Sequence, residues 1–260
     1  MPRRTSYRHG TPNWVELQTP NQEAAKSFYG RLFGWEFEDR PMPQGPTYSM
    51  AVKNGGIVAG IASQAPDRAA RDVPPRWNTH FAVDDVDASA ARVEVAGGRL
   101  LTAPFDVADA GRMAFAADPT GVSVGLWQAG KHIGATVVNE PGTFIWSELM
   151  TADHDAALPF YEQVLGLTTT TVDLGGSPFT GFTVGEDMIG GIIPPQREGV
   201  EHRWIVYFSV AGVEEIARRV EELGGTVVHG PISTPVGPLA ALRDPQGGAF
   251  SVWAFNGPTK

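Results

Sequence analysis

The chain has 260 residues, 42% of them hydrophobic and 19% charged, with 29 acidic against 20 basic side chains and a formal net charge of −9. At roughly 150 residues per domain, this length predicts two domains, each long enough for its own core. An acidic balance without a local Lys/Arg cluster argues against a nucleic-acid partner, the lack of cysteine removes disulfides, thiolate metal sites and cysteine nucleophiles, and no apolar run reaches the ~18 residues of a membrane span.

In chain order, Met1-Pro2-Arg3-Arg4 leads into polar residues and not into the apolar core of a secretory signal, so the expected location is the cytoplasm. A strand-like run, Trp14-Val15-Glu16-Leu17, precedes a helical pattern from Asn21 to Phe33, in which Ala25, Phe28, Tyr29 and Leu32 recur on one face and Gly34 ends the periodicity. Trp35 to Glu38, Thr47 to Lys53 and Ile57 to Ser63 read as strands joined by tight turns. The Pro-rich stretch Pro66 to Pro75 leads to a second unit, with a strand around Trp77 and Phe81 and a helix from Val86 to Val95. Gly111 to Ala117 and Val122 to Trp127 form its closing hairpin about the turn Asp118-Pro119-Thr120-Gly121.

Lys131 to Gly142 reads as an interdomain linker, and beyond it the same order returns. Trp146-Ser147-Glu148-Leu149, Phe160-Tyr161 and Gly166 repeat Trp14-Val15-Glu16-Leu17, Phe28-Tyr29 and Gly34 at one constant offset. Trp204, Phe208 and Gly224-Gly225 repeat Trp77, Phe81 and Gly97-Gly98; Asp244-Pro245-Gln246-Gly247 and Trp253 repeat Asp118 to Gly121 and Trp127. A repeat of domain length is a duplication and not a solenoid. The predicted domains are 1–132 and 133–260, each made of two strand-helix-three-strand units.

Four such units, with a Phe-Tyr pair in the first helix of each repeat and an Asp-Pro-x-Gly turn before its last strand, resemble the vicinal oxygen chelate superfamily, also called glyoxalase/bleomycin resistance protein/dioxygenase. The similarity is strongest to its tandem-domain actinobacterial members, which include a mycobacterial culture-filtrate antigen and proteins described as hydroxylases. The resemblance implies an α+β fold, with cup-shaped mixed sheets, helices outside the cups and a ligand pocket on each concave face. It also implies a divalent ion held by His or Glu on the first strand of each unit and by Glu on closing strands, acting as a Lewis acid. Here those positions fall on Trp14 and Trp146, on Asn78 and Ile205, and on Gly125 and Ser251, and Gly55 to Ser63 contains no acid. No cofactor is therefore expected, although a divalent metal at a displaced site stays open.

Residues two apart on a strand share a face. Glu16 and His80, and in the second repeat Glu148 and Tyr207, should thus point into the cups, with Gln18, Ser123 and Trp127, and Met150, Ser209 and Trp253, on the same parity. Leu17, Phe81, Leu126, Leu149, Phe208 and Val252 should face the helices. Glu16 and His80 are the catalytic candidates, as an acid/base pair or as ligands of a displaced metal. Equally, the glutamates can close the sheet through internal hydrogen bonds. Trp14, Gln18, Asn78, Trp127, Trp146, Glu148, Tyr207, Ser251 and Trp253 are the ligand-binding candidates. His9, His132, His154, His202 and His229 read as solvated surface.

Two functions follow. One is a binding protein that sequesters a hydrophobic or aromatic metabolite or antibiotic; the other is a lyase- or oxygenase-type enzyme working through Glu16 and His80. The expected partner is a small molecule, with no nucleic acid or membrane. Two complete domains in one chain supply what simpler relatives obtain by pairing, so the expected state is monomer or homodimer.

Overall fold

The computed structural model describes residues 3–42, 46–65 and 73–257. Most of the Pro66 to Pro75 connection lies outside them. The first repeat contains β1 (Pro12–Thr19), α1 (Gln22–Phe33), β2 (Glu36–Arg40), β3 (Tyr48–Lys53) and β4 (Gly56–Ser63), then β5 (Arg76–Ala82), α2 (Val86–Val93), β6 (Arg99–Val107), β7 (Gly111–Ala117) and β8 (Ser123–Ala129). The second contains β9 (Phe144–Met150), α3 (His154–Leu165), β10 (Thr168–Asp173), β11 (Pro178–Val184) and β12 (Asp187–Ile193), then β13 (Arg203–Ser209), α4 (Val213–Glu222), β14 (Thr226–Ile232), β15 (Leu239–Arg243) and β16 (Ala249–Trp253).

The helix starts follow local chemistry. The Asn21 side chain accepts from the Ala24 N–H and the Asp153 side chain from the Ala156 N–H, each satisfying a donor that the first turn leaves free. Gly34 and Gly166 end α1 and α3 in the left-handed region, at φ 72° and 65°, where a side chain would be strained. Asp187 opens β12 and pairs with Arg8.

Each repeat closes one eight-stranded mixed sheet, ordered β2-β3-β4-β1-β5-β8-β7-β6 in the first and β10-β11-β12-β9-β13-β16-β15-β14 in the second. The two units of a cup therefore come from the same repeat. β1 and β5 run antiparallel at the centre, with Trp14 opposite His80, Glu16 opposite Asn78 and Gln18 opposite Arg76. Opposed residues share a face, so these pairs line one surface. The alternate residues Leu17, Phe81, Leu126, Leu149, Phe208 and Val252 are fully buried on the other.

The helices lie outside the cups and between the two sheets. One apolar core joins Phe28, Tyr29, Leu32 and Phe33 of α1 to Phe208, Val213, Val220, Phe250 and Val252 of the last unit. Another joins Val86, Ala90 and Val93 of α2 to Phe160, Tyr161 and Val164 of the third unit and Trp204 of the fourth. Each helix thus packs under its own sheet and against the other repeat, and each large apolar side chain buried there contributes about 1.5–3 kcal/mol. The outer faces of the central strands are committed to this shared core, and the concave faces lie opposite it.

Candidate functional site

The floor of the first cup is Trp14, Glu16, Asn78 and His80, all at most 7% exposed. Two glycines make room above it. A Cβ on Gly60, the parallel-strand neighbour of Glu16, would collide with the Tyr48 phenol. One on Gly125, the neighbour of His80, would collide with the imidazole. Tyr48 accepts from Trp14 Nε1 at 2.9 Å and is hydrogen-bonded to Glu16. Gln18 Nε2 donates to Glu16 Oε1 at 3.2 Å. Burial pushes the Glu16 carboxyl up from its ordinary range, and the bonds from Tyr48 and Gln18 oppose that rise.

His80 has no such company. Neither ring nitrogen has a hydrogen-bond partner among the described residues, and the ring's aromatic neighbour is Phe115, centroid to centroid at 5.3 Å. Burial, reinforced by nearby His132, pulls the imidazole down to about 3, so it is neutral at physiological pH with one nitrogen able to accept and the other to donate. The Asn78 amide nitrogen is also buried without a partner among the described residues. Glu16 and His80 lie diagonally across the β1–β5 ladder, and the bonds to Glu16 come from Tyr48 and Gln18. The expected carboxylate–imidazole pair is replaced by a satisfied glutamate beside a free histidine.

His132, expected on the solvated surface, packs edge-on against Trp14 at 4.6 Å and Trp127 at 5.6 Å. Its carbonyl accepts from Trp127 Nε1 at 2.8 Å, and burial, then the Arg40 charge, lowers its imidazole to about 4. The segment that follows is tied down by Ala135 N–H to the Asn13 carbonyl and by the Tyr7 hydroxyl to the Ala135 carbonyl. The linker therefore closes one end of the first cup. Against that end lies a cavity of about 240 Å³, lined by Tyr7, Ala82, Trp127, Gln128 and Ile133 among others.

The second cup uses the same plan with different contacts. Tyr207 Oη donates to Glu148 Oε2 at 2.5 Å, and Trp146 Nε1 to Glu148 Oε1 at 3.2 Å. Tyr207 also bonds to Ser251. Burial raises Glu148, with Tyr207 and Trp146 opposing it. Trp146, Trp253 and Phe255 wall this cup, and Trp253 Nε1 is buried without a partner among the described residues.

The positions at which a family-type ion would be held carry Trp14, Asn78 and Gly125 in one cup and Trp146, Ile205 and Ser251 in the other. Indole, glycine and an aliphatic side chain supply no ligand, and lone amide or hydroxyl oxygens do not make a divalent site. No group of three or more His, Cys, Asp or Glu side chains comes together among the described residues, so the residues present do not fit the ion. Of the remaining histidines, His9 Nδ1 accepts from the Asp84 N–H, His202 approaches Thr151, and His229 is exposed. No periodic signal in the sequence marks Tyr48, because its place over Glu16 depends on the β3–β4 register.

The family model described as "Glyoxalase/Bleomycin resistance protein/Dioxygenase superfamily" matches residues 11–126 and again 143–252. The chain is 50% identical over 255 residues to "Putative glyoxylase CFP32" of Mycobacterium tuberculosis, covering 97% of each chain. It is 36% identical over 259 residues to "Anthracycline biosynthesis protein DnrV" of Streptomyces peucetius, covering 95% of this chain and 94% of that one. Among solved structures, the Mn(II)-bound glyoxalase of Novosphingobium aromaticivorans superposes with a TM-score of 0.63 at 17% identity, covering 94% of this chain and 82% of that one. At that identity the likeness speaks for the fold alone.

Proposed function

Since the chain belongs to the glyoxalase/bleomycin resistance protein/dioxygenase superfamily, we propose that it is a small-molecule-binding protein whose first cup takes a flat aromatic molecule bearing a hydroxyl group, without the family's usual ion. The observation that carries this reading is His80, buried at 2% exposure with both ring nitrogens unpartnered among the described residues. A buried polar group left unpaired costs about 1–3 kcal/mol, and a ligand hydroxyl against the neutral imidazole, with a second oxygen against Asn78, would recover it. Trp14, Phe115 and Trp127 supply the aromatic walls such a ligand needs. The Streptomyces relative's name speaks of anthracycline biosynthesis, and a polycyclic hydroxylated aromatic belongs to the class this cup would accept.

The experiment is titration of the full chain with 4-nitrocatechol and with a hydroxylated naphthoquinone, read by tryptophan fluorescence, followed by mass spectrometry of the recovered ligand. Saturable binding, loss of it in His80→Ala, and recovery of unaltered ligand are expected. Catalysis is the second reading: among the described residues both ring nitrogens of His80 are unpartnered and could receive a substrate proton, but an imidazole held at about 3 is a weak base, and binding therefore comes first. Turnover of the ligand that disappears in His80→Ala would replace sequestration with that reading.

A further inference from the structure

The two cups differ by the relocation of one tyrosine. Glu16 lies beside Gly60 and Glu148 beside Gly191 on the neighbouring parallel strand. Over Gly60 sits the phenol of Tyr48; over Gly191 sits the ring of Phe179, which a Cβ there would strike. Tyr48 and Phe179 therefore fill the same place, and only Tyr48 has a hydroxyl to offer the glutamate. On the other side of each glutamate, His80 stands opposite Trp14 and Tyr207 opposite Trp146. Their parallel-strand neighbours are Gly125 and Ser251. In the second cup the tyrosine occupies this latter place, spanning Glu148 and Ser251.

A buried carboxyl needs donors, and in each cup one tyrosine supplies one, beside Gln18 in the first and Trp146 in the second. We infer that the position of this tyrosine sets the selectivity of the two cups. Tyr48 satisfies Glu16 from β3 and so leaves His80 free to receive a ligand hydroxyl, whereas Tyr207 satisfies Glu148 from the histidine's own place and leaves the second cup without that acceptor. The selectivity rests on the first cup being a site for a hydroxylated aromatic; the tyrosine exchange does not.

The test moves the tyrosine. The parent chain, Tyr48→Phe, His80→Tyr and the double variant are compared by thermal unfolding and by titration with 4-nitrocatechol followed through its visible absorbance. Tyr48→Phe leaves Glu16 with Gln18 as its donor, without the phenol, and lowers Tm by about 3 °C. Adding His80→Tyr restores most of that loss while weakening probe binding about tenfold or more. The converse pair in the second cup, Phe179→Tyr with Tyr207→His, raises the stoichiometry from one probe per chain to two, and it keeps the inference open to failure if the first-cup variants do not fold. A double variant that binds as tightly as the parent, or a His80→Tyr change that rescues nothing, overturns the inference. A parent chain that ignores the probe while the Tm rescue is intact removes the first cup's ligand, and the selectivity with it, but leaves the tyrosine exchange standing.

Discussion

Tyr29 Oη donates to Asp244 Oδ2 at 3.0 Å, tying the helix of the first unit to the turn of the fourth across 215 positions of sequence. Trp77 Nε1 donates in turn to Tyr29 Oη at 3.0 Å. The arrangement recurs with the repeats exchanged: Tyr161 donates to Asp118 at 2.9 Å and accepts from Trp204 at 3.0 Å. The aromatic pair and the Asp-Pro-x-Gly turn that mark each repeat are thus two ends of one buried connection, and the connection always crosses to the other repeat.

Removing the hydroxyl in Tyr29→Phe leaves Trp77 Nε1 without an acceptor and takes one donor from Asp244, which keeps the backbone N–H groups of Gln246 and Gly248. The expected cost is about 1–3 kcal/mol, measured by urea unfolding. Tyr161→Phe should cost about the same. The two losses should add to within about 0.5 kcal/mol, because the networks share no partner. A neutral Tyr29→Phe would mean that the connection marks the interface without stabilising it.

Much of this architecture is legible in residue order. The parity of Trp14, Glu16 and Gln18 against Leu17 predicts which side chains enter the cup, because a pleated strand has no other way to bury an apolar face, and the β1–β5 register bears it out. Phe28-Tyr29 and Asp118 to Gly121 are visible as repeated landmarks. What they touch is not, because a hydroxyl meeting a carboxylate 215 positions away depends on how two sheets stack back to back. The same reason hides the partner of Glu16. Tyr48 reaches it from a strand whose pairing with β4 contains a register shift between Ala51 and Val52, so counting from the turn that joins the two strands misplaces the ring. His132 escaped because a linker histidine carries no periodic signal, and only the folded path brings it against Trp14 and Trp127.

That path suggests how the first cup opens. His132 is the linker side chain that packs on both Trp14 and Trp127, so His132→Ala should uncover these indoles while leaving the carbonyl that Trp127 binds. Acrylamide quenching of tryptophan fluorescence is expected to rise, and association of 4-nitrocatechol to quicken, with little change in unfolding free energy. Unchanged quenching would place the entrance elsewhere.

The positions of a family-type ion yield a prediction of their own. Trp14, Asn78 and Gly125 cannot assemble the three or more strong ligands that hold a divalent cation through dialysis. Elemental mass spectrometry of untagged protein should therefore find well under one iron, zinc, manganese or nickel per chain, and reloading should not raise Tm. Stoichiometric metal that is lost in Glu16→Gln or His80→Gln would identify a displaced site.

Acid should expose the cost of the buried histidines. His80 is held at about 3 and His132 at about 4, against 6.5 for a free imidazole, so between those values the unfolded chain binds more protons than the folded one. The stabilising effect of keeping them neutral is complete above about pH 6.5 and is lost as pH falls toward the folded values. Glu16, Glu148 and Asp244 act in the opposite sense. Burial raises all three, so the folded state takes up protons first and their contribution declines as pH rises through that range. Between pH 7 and 5 the histidines should dominate, each removing about 2 kcal/mol. Urea unfolding at the two pH values should show a decrease in the parent chain that His80→Gln reduces by about half, since glutamine does not titrate. Equal slopes in parent and variant would mean that His80 already has a partner or a path to water in the native protein, and the imidazole would no longer mark the ligand's place.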